Sequence, residues 1–583
     1  MNVVLLLLVL LPYSISENLV SPRIRVNVTR YNNTKLFDFK TSLYDVVTYY
    51  KNESSVLVGV TNTLHIFNFI DGKETSIDFT PEKNPLETTA KTPGKHEYSN
   101  RNYITFIGTY QNKTMVCGTN ACSPKCWFLI GNNKTTGPSG LGFAPYKFNS
   151  SNDDMVLVDG EDVYSTIPKY ERLPKKFRRI LGRNELYTSD SVIKNPTFIK
   201  MVSLNESASI NDTIYTFFLE NNQSKVFRVC KGDKGSTGSM SSSKWSTLLK
   251  SVLVCKDSYN RSFNKLVDVF VLQDTNTRVY FYGLFMNEWG FSAVCVFSFK
   301  NIQHNFNTSP LKGFTGKMPS TKPGTCLTGS TPDETFKVID QYPETSMSVK
   351  GRMLFESQYS YTHLVVSTKK VSHHKKSYNI IVLYLSTNNG RVHKVVVYER
   401  GAICVMEMSL KSYDSPILSM ILDNSTKLYV SYNDTIIQLP VAFCELYGKT
   451  CDECVMSRDP HCGWKNKECV YGDGGKKILQ DSLLDVPRNI CSSSKVKHEY
   501  LNRTVMLHPS SYHILVCFTV SFQAKYRWMK DNSTIKECLV GTEECSHMIP
   551  KVNSNFGQYI CVSEEGWNSM ISSVDNIVPM TRR

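Results

Sequence analysis

The run Cys444-Glu445-Leu446-Tyr447-Gly448-Lys449-Thr450-Cys451-Asp452-Glu453-Cys454-Val455-Met456-Ser457-Arg458-Asp459-Pro460-His461-Cys462-Gly463-Trp464, with Cys469 and Cys491 beyond it, gathers six cysteines into 48 residues. A unit that small cannot bury enough apolar surface to hold itself together and needs crosslinks. The Cys451-x-x-Cys454 pair with Cys462 and Cys469 has zinc-site spacing. In a chain that enters an oxidising compartment the same cysteines form disulfides instead. The run therefore reads as a disulfide-bonded, metal-free module over residues 443–492, with no cofactor, standing between two different patterns.

Downstream, Cys517 sits in His513-Ile514-Leu515-Val516-Cys517-Phe518, Trp528 follows in Tyr526-Arg527-Trp528, and Gly557-Gln558-Tyr559-Ile560-Cys561 places a Tyr just before a Cys. A disulfide across two sheets, a packed Trp and a tyrosine corner are the immunoglobulin-like signature. That sandwich is expected over residues 493–575, with 576–583 as a short tail.

Upstream, residues 17–442 hold few helical patterns. Short β-rich runs dominate, among them Ile24-Arg25-Val26-Asn27-Val28, Val56-Leu57-Val58-Gly59-Val60, Ile214-Tyr215-Thr216-Phe217-Phe218, Val392-His393-Lys394-Val395-Val396-Val397 and Leu428-Tyr429-Val430-Ser431-Tyr432. Turn pairs such as Asp71-Gly72, Asp159-Gly160 and Asn389-Gly390 separate such runs. Many hairpins over so long a stretch point to an architecture that hides its sheet edges by radial repetition, with about four strands per blade. No clean sequence repeat is visible, so spacing alone does not fix a propeller.

The chain of 583 residues opens with Met1-Asn2 and the apolar run Val3–Leu11, then Pro12 and the small residues Ser14-Ile15-Ser16. This is read as a signal peptide over residues 1–16; a membrane anchor needs about 20 apolar residues. The compartment agrees with 18 cysteines and with N-x-S/T acceptors at Asn27, Asn32, Asn52, Asn112, Asn133, Asn149, Asn205, Asn211, Asn222, Asn260, Asn307, Asn424, Asn433, Asn502 and Asn532. A secreted, heavily glycosylated protein without a membrane span is expected. The net charge of +15 would suit nucleic acid, but outside cells the polyanions are sulfated glycans. The densest basic run is Arg172 to Arg179, with Arg183 nearby; a second is Lys369-Lys370 through Lys376. Each is read as a solvated loop first and a glycan site second. No paired-acid motif, nucleophile elbow or H-E-x-x-H run appears, so no enzyme and no catalytic residue is expected.

The order of these three patterns resembles the semaphorin family over nearly the whole mature chain. The Cys444–Trp464 run is similar to the family's C-x-D-C-x-x-A-R-D-P-Y-C-x-W motif in the plexin–semaphorin–integrin (PSI) module, with His461 in place of Tyr. Cys117-Gly118-Thr119-Asn120-Ala121-Cys122-Ser123-Pro124-Lys125-Cys126, Asp159-Gly160-Glu161-Asp162-Val163-Tyr164-Ser165, Lys244-Trp245-Ser246-Thr247-Leu248-Leu249-Lys250 and Pro323-Gly324-Thr325-Cys326 look like further family motifs, in the family's order. The resemblance implies an all-β chain: a seven-bladed sema propeller (17–442), the PSI module and the immunoglobulin-like sandwich. It implies the pairs Cys117–Cys126, Cys230–Cys326, Cys255–Cys295, Cys444–Cys462, Cys451–Cys491 and Cys454–Cys469, with Cys517–Cys561 in the sandwich. Cys538 and Cys545 remain for a local pair, and Cys122 and Cys404 are left over.

The resemblance also implies a function. A dimeric ligand engages a plexin ectodomain through its propeller, on surface loops within about residues 195–290. A short chain ending soon after the sandwich is similar to virus-encoded secreted semaphorins and to the lipid-anchored class, which points to a plexin of the C type and to immune, adhesion or guidance signalling. Lys231-Gly232-Asp233 stands where the lipid-anchored class carries an integrin-binding R-G-D. It is read as an ordinary turn first and an integrin site second. A decoy that occupies plexin without activating it is not separable from an agonist by sequence.

Overall fold

The computed structural model describes residues 21–28, 31, 34–39, 48–52, 55–81, 101–148, 154–169, 174–205, 211–273, 278–373, 376–398, 401–423, 426–472, 491, 500–508, 511–549, 555–566 and 568–580. The expected signal peptide, the acceptors Asn32, Asn149 and Asn424, and the basic residues Arg172, His374 and Lys375 lie outside the described residues.

Alternating burial sets the local structure. In β1 (Ile24–Asn27), Ile24 and Val26 are buried while Arg25 and Asn27 face out, the period of a half-buried strand. Blade-interior strands instead bury both faces, as in Arg391–Tyr398 and Gly401–Ser409, because each sheet is sandwiched between neighbours. Seven such sheets form among the described residues, at 48–78, 104–139, 156–187, 197–263, 265–357, 361–409 and 419–440. The first strands of blades 1 to 7 touch one another in that order. Lys51 of blade 1 meets Asp423 of blade 7 at 3.1 Å, and the Tyr49 hydroxyl donates to the Tyr432 carbonyl. These contacts close the ring into a seven-bladed propeller.

Two N-terminal strands complete that closure. β1 adds in parallel to Gly401–Ser409 at the outer edge of blade 6. β2 (Lys35–Asp38) pairs antiparallel with Thr435–Pro440 and becomes the outer strand of blade 7. A segment between the third and fourth strands of blade 5 forms the helices Phe299–Thr308 and Asp333–Gln341. The first is capped by Ser298, whose side chain accepts from Asn301 N. The insertion is tied to blade 4 by Cys230–Cys326 and by a buried ion cluster. In that cluster Lys225 bridges Glu220 at 2.9 Å and Glu344 at 2.7 Å, and Lys250 also reaches Glu220 at 2.7 Å.

The cysteine-rich module shares a hydrophobic core with blades 6 and 7. Its helix, Cys451–Met456, starts on a capping box formed by Thr450 and Glu453. Lys394 of blade 6 and Asp459 of the module, both 0% exposed, meet at 2.5 Å.

The last part is a sandwich of a five-stranded sheet (Leu501–Leu507, Asn568–Pro579, Gly557–Glu565, Lys525–Lys530, Ser533–Glu537) and a two-stranded one (His513–Phe518, Glu544–Ile549). Cys517–Cys561 joins the sheets across 6.3 Å between Cα atoms. Trp528 is fully buried and donates to Cys545 O at 2.8 Å. The Tyr559 hydroxyl donates back to Asn555 O at 2.8 Å. The last strand runs to Pro579, paired with Leu507, so residues 576–579 belong to the sheet rather than to a tail.

The sandwich rests against blade 6. Phe522 N donates to Arg23 O at 2.8 Å, Gln523 Nε2 donates to Ser21 O at 2.7 Å and Cys404 O at 2.8 Å, and Arg23 pairs with Glu565 at 3.0 Å.

Candidate binding surface

Antiparallel strands put their connections alternately at two ends of a blade. The loops after second and fourth strands therefore share one end of the propeller. At that end, blades 4 and 5 hold large side chains in solvent: Tyr259 is 74% exposed, Trp289 83% and Phe291 41%.

The two loops that carry them are rigid by local chemistry. After the fourth strand of blade 4, Asp257 Oδ1 accepts from Tyr259 N at 3.0 Å and Arg261 N at 2.7 Å. Burial pushes the Asp257 carboxyl up, but hydrogen bonds from Arg261 outweigh it and hold the group below its ordinary value. After the second strand of blade 5, Asn287 Oδ1 accepts from Trp289 N at 3.0 Å and Phe291 N at 2.9 Å. Gly290 takes φ +81° there, a left-handed conformation that costs glycine nothing. Arg261 reaches Glu356 on the fourth strand of blade 5 at 3.3 Å, tying the first loop to the neighbouring blade. The result is exposed aromatic area on a preorganised frame, the composition that marks contact surfaces.

The 195–290 window spans both ends of the propeller. Met240, 91% exposed, follows the third strand of blade 4 and stands at the opposite end. The aromatic patch is a feature that sequence reasoning missed: Trp289 and Phe291 were not singled out, although Asn-x-x-Gly-x between two apolar runs signals an exposed hairpin.

Lys231-Gly232-Asp233 is a correction. An integrin motif needs both charges in solvent, yet Lys231 is 5% exposed and Asp233 3%. Asp233 accepts from Gly235 N, Ser246 N, Ser246 Oγ, Thr247 N and Thr247 Oγ1 at 2.7–2.9 Å. Lys231 pairs with Asp159 at 2.8 Å and Asn205 at 2.6 Å. Arg179 clamps the Lys231 and Asp233 carbonyls at 2.9 and 2.8 Å. The run is a structural turn with no charge left to offer.

The densest basic run is likewise spent on the fold. Arg178 and Arg179 are buried, Lys175 pairs with Asp154 at 2.9 Å, and Lys176 with Asp190 at 2.8 Å. In the second run, Lys369 donates to Gly472 O at 2.7 Å.

The structure brings together Cys117 with Cys126, Cys230 with Cys326, Cys255 with Cys295, Cys444 with Cys462, Cys451 with Cys491, Cys454 with Cys469, Cys517 with Cys561, and Cys538 with Cys545. Cys122 and Cys404 are not among them. Of the described acceptors, Asn27, Asn52, Asn112, Asn133, Asn205, Asn211, Asn222, Asn260, Asn307, Asn502 and Asn532 are exposed and Asn433 is half-buried. Among the described residues no cluster of His, Cys, Asp and Glu is placed to hold a metal ion, and no helix is long and apolar enough to cross a membrane.

These parts define a class: a ring-closed propeller with an insertion in blade 5, a disulfide-rich module sharing its core, and a sandwich folded against it. The comparisons agree. Residues 266–424 match the Sema domain family and residues 443–482 the Plexin repeat family. The chain is 37% identical over 566 residues to human Semaphorin-7A, covering 90% of this chain and 82% of that one. It is 26% identical over 551 residues to human Semaphorin-4B, covering 81% and 64%. The fold matches Drosophila Semaphorin 2a with a TM-score of 0.72 at 21% identity, covering 97% of this chain and 99% of that one. A structure of Drosophila Plexin A in complex with Semaphorin 1b matches at 0.65 and 20% identity, covering 82% and 100%. The chain belongs to the semaphorin family.

Proposed function

We propose that the mature chain is a secreted, glycosylated, homodimeric ligand that engages a plexin ectodomain, of the C type, through the loops of blades 4 and 5. Residues 1–16 are its leader, 17–442 its propeller, 443–492 its PSI module, and the sandwich its third part. Family membership supports a signalling ligand rather than an enzyme. The observation that carries the surface is the patch of Tyr259, Trp289 and Phe291 on loops fixed by Asp257, Asn287 and Arg261. Binding energy concentrates in a few aromatic and Arg residues on such surfaces. Bivalency then raises apparent affinity without new contacts.

A second reading uses the same patch to pair two copies of this chain, since exposed aromatic side chains suit self-association equally. Titration of immobilised C-type plexin with full-length chain, Trp289→Ala and Tyr259→Ala, alongside sedimentation mass, separates the two. Receptor contact predicts at least tenfold weaker binding per site, about 1.4 kcal/mol, with the mass unchanged. A halved mass with unchanged per-site affinity would move the patch to the dimer interface. Unchanged values in both would remove it from the function.

A further inference from the structure

Three unpaired cations, of which only Lys370 belongs to a basic run, gather at one cleft. A cleft of about 430 Å³ opens between blades 5 and 6, within the range of ~300–1,000 Å³ that small-ligand sites occupy. Lys350, on a short strand paired with the fourth strand of blade 4, and Arg352 of blade 5 flank Gly351 and both line it. Across the cleft, Asn379 lines it from blade 6 and is the cross-strand partner of Lys370. Lys350, Arg352 and Lys370 are all exposed, and among the described residues none has a hydrogen bond or ion pair through its side chain. Among the described residues no Asp or Glu lines the cleft.

The rest of the lining is not that of a bare anion hole. Asn301 and Asn379 offer amides, which both donate and accept, and Tyr280 offers a half-buried ring. A phosphate or sulfate ion would use the cations and leave these groups idle. A sulfated saccharide uses all of them: sulfates against Lys350, Arg352 and Lys370, hydroxyls against the two amides, and the C–H face of a sugar ring against Tyr280. In the densest basic run, by contrast, Lys175 and Lys176 are paired and Arg178 and Arg179 are buried. Leaving like charges together at one cleft raises the local potential and favours a polyanion there.

We propose that the cleft between blades 5 and 6 binds a short segment of a sulfated glycan, independently of the receptor loops. The test measures binding of a heparin-derived hexasaccharide to the full glycoprotein at several salt concentrations, with inorganic sulfate as competitor. The variants are Lys350→Ala with Arg352→Ala, and, as the control in the denser run, Lys175→Ala with Lys176→Ala. The cleft variant should bind at least tenfold more weakly at physiological salt, and its slope of log affinity against log salt should fall by about 2, one for each cation removed. The control should stay within twofold of wild type. Thermal unfolding and plexin titration should be unchanged in the cleft variant, so failure here is distinct from failure of the receptor proposal. Hexasaccharide binding within twofold of wild type in the cleft variant, an equal loss in the control, or displacement by sulfate at equal concentration would each overturn the proposal.

Discussion

Asp459 accepts from the Lys394 ammonium at 2.5 Å, the Tyr447 hydroxyl at 2.8 Å and His461 N at 3.0 Å, in a site closed to solvent. Burial opposes its charge, but Lys394 and His461 overcome that and hold the carboxyl far below the usual range. A buried pair contributes little beyond an apolar substitute, whereas breaking it leaves an uncompensated charge. Lys394→Met should therefore destabilise the protein by about 3–5 kcal/mol, and adding Asp459→Asn should recover much of that loss; denaturant unfolding followed by Trp fluorescence reads both. The pH dependence has a fixed sign. Burial, reinforced by Lys394, pushes the His461 imidazole down to about 4. The unfolded chain then binds more protons than the folded one between about pH 6.5 and 4. Stability from this site is present above that window and falls as pH drops through it; protonation of Asp459 removes more at still lower pH. An unfolding midpoint that rose on acidification from pH 7 to 4.5, and that His461→Tyr did not flatten, would contradict this. His461 was visible as a departure from the family motif. Its meaning was not, because Lys394 lies 65 residues from Asp459 and sits in a run whose alternation does not mark a buried ammonium.

Among the elements, β2 shows what local pattern cannot carry. Its four residues are mostly exposed, yet Phe37 packs on Phe67 and Phe69 with ring centroids 4.9 Å away in both cases. Through those contacts it joins blade 7 to blade 1. Phe37→Ala should cost about 2–3 kcal/mol, at or below the low end for such a truncation because the ring is only partly covered. Chemical unfolding of the full chain measures it, and a change below about 0.5 kcal/mol, the scale of ordinary surface substitutions, would mean that the ring closes without this strand. Neither β1 nor β2 was legible as a closing strand, since their partners lie some 400 residues away and pairing that distant leaves no trace in a short window. The sandwich was legible because Cys517, Trp528, Tyr559 and Cys561 each have one chemical job at a characteristic spacing. The propeller itself came from motif resemblance, because its blades differ too much in sequence to show a repeat. The integrin alternative at Lys231-Gly232-Asp233 fell for the opposite reason: three residues describe a motif but not its exposure, and Arg179, Ser246 and Thr247 decide the latter.

On the scale of the molecule, the two ends of the propeller are unequal. Asn52, Asn112, Asn133 and Asn211 are exposed on or beside hairpins at one end, while Tyr259, Trp289 and Phe291 stand at the other. Asn222 and Asn260 share the aromatic end, Asn260 next to Tyr259 in the same loop. The core shared by blades 6 and 7 and the cysteine-rich module makes the full chain, not an isolated propeller, the proper reagent. The most direct test of a receptor surface on the aromatic end is a pair of engineered glycans. Trp289→Thr creates an acceptor at Asn287 on that end, and Ser239→Asn creates one beside Met240 on the opposite end. With occupancy verified by mass, both full-length variants are titrated against immobilised C-type plexin. Loss of binding for Trp289→Thr with wild-type binding for Ser239→Asn is the predicted result; the reverse, or full binding by both, would contradict it.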